Sequence, residues 1–144
     1  MPRKTPAELG EARRAKAEAE AEAQLEAEEH AEWLREAWEK HRELTSAAAG
    51  IYDEIEKLNR KWPTVPVTPR MVARTNKLLG EIRDLLKDDE DGFIDGLEDI
   101  VPAGDQPETR DVVLILREAK DALDRFGNKY QREWRPFRQE ELGY

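Results

Sequence analysis

The chain has 144 residues, 40% of them charged, and a formal net charge of −9 at pH 7. It contains no cysteine, which excludes a disulfide framework, a thiolate zinc site and a cysteine nucleophile. No apolar run approaches the ~20 residues of a membrane span, and no apolar segment follows Arg3 and Lys4 as it would in a secretory signal. We therefore expect a cytoplasmic protein with no membrane partner. The negative charge argues against nucleic acid as the main partner.

Large apolar residues are unevenly distributed along the chain. Among Leu, Ile, Val and Phe, only Leu9, Leu25 and Leu34 lie in the first 43 residues. A packed core requires such side chains. The sequence therefore predicts an Ala- and Glu-rich helical arm over residues 1–43, either solvated or bound to a partner. It predicts a compact helical bundle over residues 44–144.

The first predicted helix runs from Pro6 to Trp62. Thr5 and Glu8 have the spacing of a capping box, and no proline interrupts the chain until Pro63. In the second half of this helix, apolar residues alternate at steps of four and three, which is a heptad seam. Its members are Leu44, Ala48, Ile51, Ile55, Leu58 and Trp62.

Further helices are expected over 69–87, 93–101 and 107–135, the last ending before Pro136. An extended proline-rich linker, 63–69, joins the first two helices. No pair of strand-like segments is present, so the predicted fold is all-α, a small helical bundle with a long N-terminal helix projecting as a coiled-coil-like arm. The side chains expected in the core are Ile51, Ile55, Leu58, Leu78, Ile82, Leu97, Leu116, Leu123 and Phe126.

The segment from Lys87 to Glu98 resembles the twelve-residue calcium loop of the EF-hand family. The resemblance assigns the ligand positions to Asp89, Asp91, Asp95 and Glu98, and the tight turn to Gly92. Lys87 departs from the pattern, because it stands where the family has its first aspartate. The alternative is an acidic helix–helix connection without calcium, and otherwise the sequence predicts no cofactor.

Acidic residues at helical spacing also suggest that the protein binds a metal ion. Glu81 and Asp84 form an E-x-x-D pair, and Asp53, Glu54 and Glu56 cluster on the preceding helix. This arrangement resembles the all-α nucleoside-triphosphate pyrophosphohydrolases, which implies magnesium and nucleotide hydrolysis, although Lys57 stands where that family has a third glutamate. One alternative function is thus a metal-ion- or nucleotide-handling bundle that uses acidic residues 81–98. A solvated helix face is the competing interpretation.

The C-terminal stretch 125–138 interleaves basic and aromatic residues. Such a pattern is typical of single-strand nucleic-acid grooves and also of protein interfaces. A nucleic-acid accessory function is therefore a second alternative. The structural interpretation is that Tyr130 and Trp134 pack on the bundle while the arginines remain in solvent.

The favoured function is non-catalytic. We expect an adaptor or assembly subunit that acts through its long N-terminal helix, with a protein partner or a second copy of itself in a homo-oligomer. A helix of this length with little apolar surface needs a companion to be stable. The residues expected at such interfaces are Trp33, Leu34, Trp38, Tyr130, Trp134 and Arg135.

Overall fold

The computed structural model describes residues 3, 5–87, 89 and 107–143. These residues form four helices, α1 (Pro6–Lys61), α2 (Pro69–Leu86), α3 (Thr109–Lys129) and α4 (Gln131–Leu142). The all-α class is confirmed, including the helical bundle and the long N-terminal helix. The predicted helix over 93–101, with Leu97, lies outside the described residues. In the part of the chain that is described, no helix is both long and apolar enough to cross a membrane.

The N-terminus of α1 is fixed by the predicted capping box. The backbone N–H of Thr5 donates to Oε2 of Glu8 over 3.0 Å, and the backbone N–H of Glu8 donates to Oγ1 of Thr5 over 3.3 Å. Each bond satisfies a donor that has no partner within the helix. The cap therefore defines where α1 begins.

The chain divides into two compact units, residues 1–36 and residues 37–144. In the first unit, every residue from 6 to 32 is exposed except Gly10, which is half-buried. Trp33 and Leu34 are half-buried. The first unit thus consists of helix with almost no buried apolar side chain. The second unit begins before the predicted boundary at residue 43, and Ala37 and Trp38 are already buried in it.

The core of the second unit combines apolar stripes from α1, α2 and α3. Most side chains predicted to be buried are at most 7% exposed: Ile51, Ile55, Leu78, Ile82, Leu116, Leu123 and Phe126. Leu58 was predicted to be buried and is 39% exposed, so that prediction is wrong. The hydroxyl of Thr109, the first residue of α3, donates to the carbonyl of Trp62 over 2.7 Å and ties the start of α3 to the end of α1.

The proline-rich linker was predicted to be extended, but it begins with a turn at Pro63 and Thr64, where Val65 N–H donates to the carbonyl of Trp62 over 3.2 Å. The rest of the linker is tied to the start of α3. Val67 N–H donates to the carbonyl of Pro107 over 2.9 Å, and Thr109 N–H donates to the carbonyl of Val65 over 3.0 Å. Val67 is 3% exposed, a core position that its location in the linker did not predict. Thr68 caps α2 as expected, accepting from the backbone N–H of Met71.

The C-terminal part of the chain contains two helices where the sequence predicts one. α3 ends at Lys129, Tyr130 leaves helical geometry with φ −101° and ψ 11°, and α4 then continues through Pro136 to Leu142. The prediction that Pro136 stops the helix is therefore wrong. An internal proline costs about 3 kcal/mol. Burial of Trp134 and the contact of Phe137 with α1 offset this cost.

Candidate functional site

A cluster of aromatic rings joins α1, α3 and α4 in the second unit. We call it the aromatic cluster; its members are Trp38, His41, Phe126, Tyr130, Trp134 and Phe137. Trp134 lies at its centre, with ring centroids 5.1 Å from His41, 5.6 Å from Phe126 and 5.6 Å from Tyr130. Trp38 packs against Phe137 at 5.7 Å. Aromatic rings packed at these distances stabilise the folded protein by more than the burial of their apolar surface alone would.

His41 connects the aromatic cluster to the backbone of α3. Its ring stacks on Phe126 at 6.1 Å, and its Nε2 donates to the carbonyl oxygen of Leu123 over 2.8 Å. The ring fills the space beside Gly127, where an added Cβ would lie 2.8 Å from Nε2. The role of Gly127 is therefore close packing of α1 against α3. α3 continues past Gly127 to Lys129, so this glycine lies inside the helix.

Three of the predicted interface residues belong to this cluster. Trp38 is 8% exposed, Trp134 is 2% exposed and Tyr130 is half-buried. Trp38 falls within the arm predicted over residues 1–43, but in the structure it packs in the bundle: α4 places Phe137 against its ring and Arg42 lies 4.7 Å from it. For Tyr130 and Trp134, the structure agrees with the interpretation that they pack on the bundle.

An open groove of about 830 Å³ runs beside the aromatic cluster. Its walls come from α1, the end of α3 and α4, and include Trp38, Ser46, Asp124 and Arg138. Arg42 forms an ion pair with Glu141 across it. The lining mixes acids, bases and hydroxyl groups, so the groove offers no single class of ligand chemistry.

The remaining predicted residue of the C-terminal stretch, Arg135, is exposed on α4. With Arg132 and Arg138 it forms a row at steps of three residues, which we call the arginine ridge. The three side chains and Gln131 line a groove of about 470 Å³. Within the described residues, no carboxylate pairs with any of these three guanidinium groups.

Trp33 and Leu34 lie in the first unit. The ring of Trp33 stacks on the ring of His30, one turn earlier in α1, with centroids 5.9 Å apart and an interplanar angle of 18°. Both Trp33 and Leu34 keep part of their apolar surface in solvent. They remain candidates for a partner contact.

Only one of the proposed calcium ligands is described. Asp89 has a fully covered side chain, and its Oδ1 lies 3.0 Å from Nζ of Lys129. Asp91, Asp95 and Glu98 lie outside the described residues. The carboxylate that would take the third position of the loop therefore faces an ammonium group.

Two of the acids that resemble a pyrophosphohydrolase set, Glu54 and Glu56, pair with cations from the chain itself, and Asp53 is exposed. Glu54 bonds Arg74 over 3.3 Å. Glu56 lies near Arg60 and Arg117, at 3.4 Å and 3.8 Å. In the E-x-x-D pair on α2, Glu81 is half-buried and Asp84 is exposed. Across the described part of the chain, no group of three or more His, Cys, Asp or Glu side chains is arranged to hold a metal ion.

Two pKa values in this region are displaced. A hydrogen bond from Tyr52, and secondarily the charges of Arg60 and Arg117, lower the pKa of Glu56 below its ordinary value. A hydrogen bond with Tyr52, together with the nearby Glu56 carboxylate, raises the pKa of Arg117. The shift of Glu56 comes mainly from groups of α1 itself, and Arg117 of α3 joins the same network through Tyr52 and Glu56, which is the pattern of a structural ion-pair network.

Comparison with protein families, with curated proteins and with solved structures finds no match for this chain.

Proposed function

We propose that the protein is a non-catalytic assembly subunit whose α1 residues 6–36 form the interface with a second copy of the chain. One observation carries the proposal. Residues 6–32 form a continuous helix in which every residue except half-buried Gly10 is exposed. Most helix stability in proteins comes from packing an apolar face, so a helical segment without one requires a companion.

The sequence of this segment supports a helical companion. Ala23, Ala27, His30 and Leu34 follow one another at steps of four, three and four along one face of α1. Small residues at these positions let a second helix approach closely, while Leu34 and Trp33 supply apolar area. The interface is therefore expected to be helix on helix.

Light scattering on the full chain over a range of concentrations tests the proposal. The wild type should show a molar mass above that of one chain, falling on dilution. Ala27→Pro, which breaks the helix in the middle of the segment, should shift the mass to that of one chain and lower the helical circular dichroism.

Ala7→Pro is the matched control, because proline is tolerated in the first turn of a helix. It should leave both mass and helicity at wild-type values. A wild-type chain that stays at the mass of one copy at every concentration, with the segment fully helical, would contradict the proposal.

A further inference from the structure

We propose that the arginine ridge of one copy binds an acidic stripe on α1 of a second copy. The inference rests on the proposed function and specifies a surface that receives the helix. The acidic stripe consists of Glu18, Glu22, Glu29, Glu32 and Glu36, with Leu25 in its middle. These six positions follow steps of four and three, so they lie on one face of α1.

The acidic stripe is a well-defined charged surface. Residues 17–34 contain seven glutamates and neither lysine nor arginine, and all members of the stripe are exposed. Leu25, 56% exposed, adds an apolar residue among the carboxylates. The opposite face carries the alanines of the proposed helix contact, so the two surfaces do not compete for the same residues.

The arginine ridge has the matching charge and length. Arg132, Arg135 and Arg138 are exposed and line one groove along α4, and Arg138 also borders the open groove beside the aromatic cluster. The ridge spans about 9 Å along the helix at 1.5 Å per residue, close to the about 10 Å between Glu22 and Glu29. Guanidinium groups bind carboxylates through paired hydrogen bonds.

Local charge complementarity favours a second copy as the occupant of the ridge. Each copy carries a net charge of −9, so two copies repel each other at long range and the attraction must come from the ridge and the stripe at close range. The acidic stripe presents five exposed carboxylates on one helix face and accompanies every copy of the ridge. Exposed ion pairs are individually weak, so the contact must depend strongly on salt.

A charge-exchange experiment on full chains tests the inference, with molar mass from light scattering as the readout. Arg132→Glu with Arg135→Glu should weaken self-association by about tenfold or more, since like charges then face each other. Glu22→Lys with Glu29→Lys should do the same. An equimolar mixture of the two variants should associate again, because the charges are complementary once more. Circular dichroism should match the wild type for both variants, since all four residues are exposed.

Glu118→Lys is the matched control. It makes the same charge change at an exposed position of α3, outside both the acidic stripe and the alanine face of α1, so it should leave self-association within about twofold of wild type. Association of the wild type should also fall between about 50 mM and about 500 mM NaCl.

Two outcomes would overturn the inference while leaving the proposed function in place. In the first, the arginine variant associates as tightly as wild type, and Ala27→Pro is still monomeric. In the second, the arginine variant keeps its mass but loses binding to a fluorescent single-stranded oligonucleotide, which would assign the ridge to nucleic acid. A wild-type chain that is monomeric at every concentration would overturn both.

Discussion

The imidazole of His41 lies between the carbonyl of Leu123, which it bonds over 2.8 Å, and the Cα of Gly127, whose missing side chain makes room for it. This single contact fixes how closely α1 and α3 approach. Because the ring also stacks on Phe126 and Trp134, it cannot move aside without losing aromatic contacts.

Gly127→Ala should therefore destabilise the protein by about 1–3 kcal/mol, although alanine favours helix more than glycine does. The added methyl group would lie 2.8–2.9 Å from two atoms of the His41 ring. Urea unfolding monitored by circular dichroism measures the effect. Gly50→Ala in α1 is the matched control, since nothing lies within 4 Å of its added Cβ. It should stabilise by about 0.5–1 kcal/mol. Equal effects at the two positions would contradict the packing role of Gly127.

Trp134→Ala should cost about 3–5 kcal/mol, because the indole is 2% exposed and contacts three other rings of the aromatic cluster. Trp62→Ala removes the same side chain where it is 55% exposed, and should change the unfolding free energy by less than about 1 kcal/mol. Chemical denaturation compares the two variants. Near-ultraviolet circular dichroism should lose signal mainly in Trp134→Ala.

The lowered pKa of Glu56 predicts a pH-dependent contribution to stability. The folded-state pKa lies below the ordinary value of about 4.3, so the contribution is complete above that pH and is lost as the pH falls through the folded-state pKa. Wild type should thus be more stable than Glu56→Gln at pH 7, and the difference should vanish in strong acid. In a Tyr52→Phe background, which lacks the hydrogen bond, the pH-dependent difference should shrink. A difference that grows on acidification would contradict the assignment.

Thr109→Val should destabilise the protein by about 1–3 kcal/mol. The Thr109 hydroxyl is fully buried and donates to the carbonyl of Trp62 over 2.7 Å, so valine leaves that carbonyl without this donor. Thr109→Ser keeps the hydroxyl and should recover most of the loss. If serine and valine unfold at the same urea concentration, the hydrogen bond does not contribute.

Local signals predicted most of the fold. The capping box at Thr5 and the cap at Thr68 depend on residues within one helical turn, and both form as expected. The stripes that include Ile55 and Ile82 follow from helical period alone, and both side chains are fully buried. Features of this kind are encoded within a window of a few residues.

Features that depend on long-range packing were not predicted. Trp38 has the surroundings of an exposed arm in the sequence, and only the return of α4 places Phe137 on its ring. Pro136 is a helix breaker by local rules, yet burial of Trp134 next to it keeps the turn helical. The spacing of Arg132, Arg135 and Arg138 was visible in the sequence, but their common groove required knowledge of which side of α4 is buried.

The hydrogen bonds that hold the proline-rich linker have a consequence for synthesis of the chain. Residues 107–110 supply the backbone partners of the Pro63 carbonyl, the Val65 carbonyl and the Val67 N–H. While the ribosome is still adding residues before this point, the turn between the first two helices lacks its stabilising partners. The bundle can therefore close only after residues 107–110 have left the ribosome, and a released chain that ended near residue 100 would expose the hydrophobic side of α2 to chaperones and proteases.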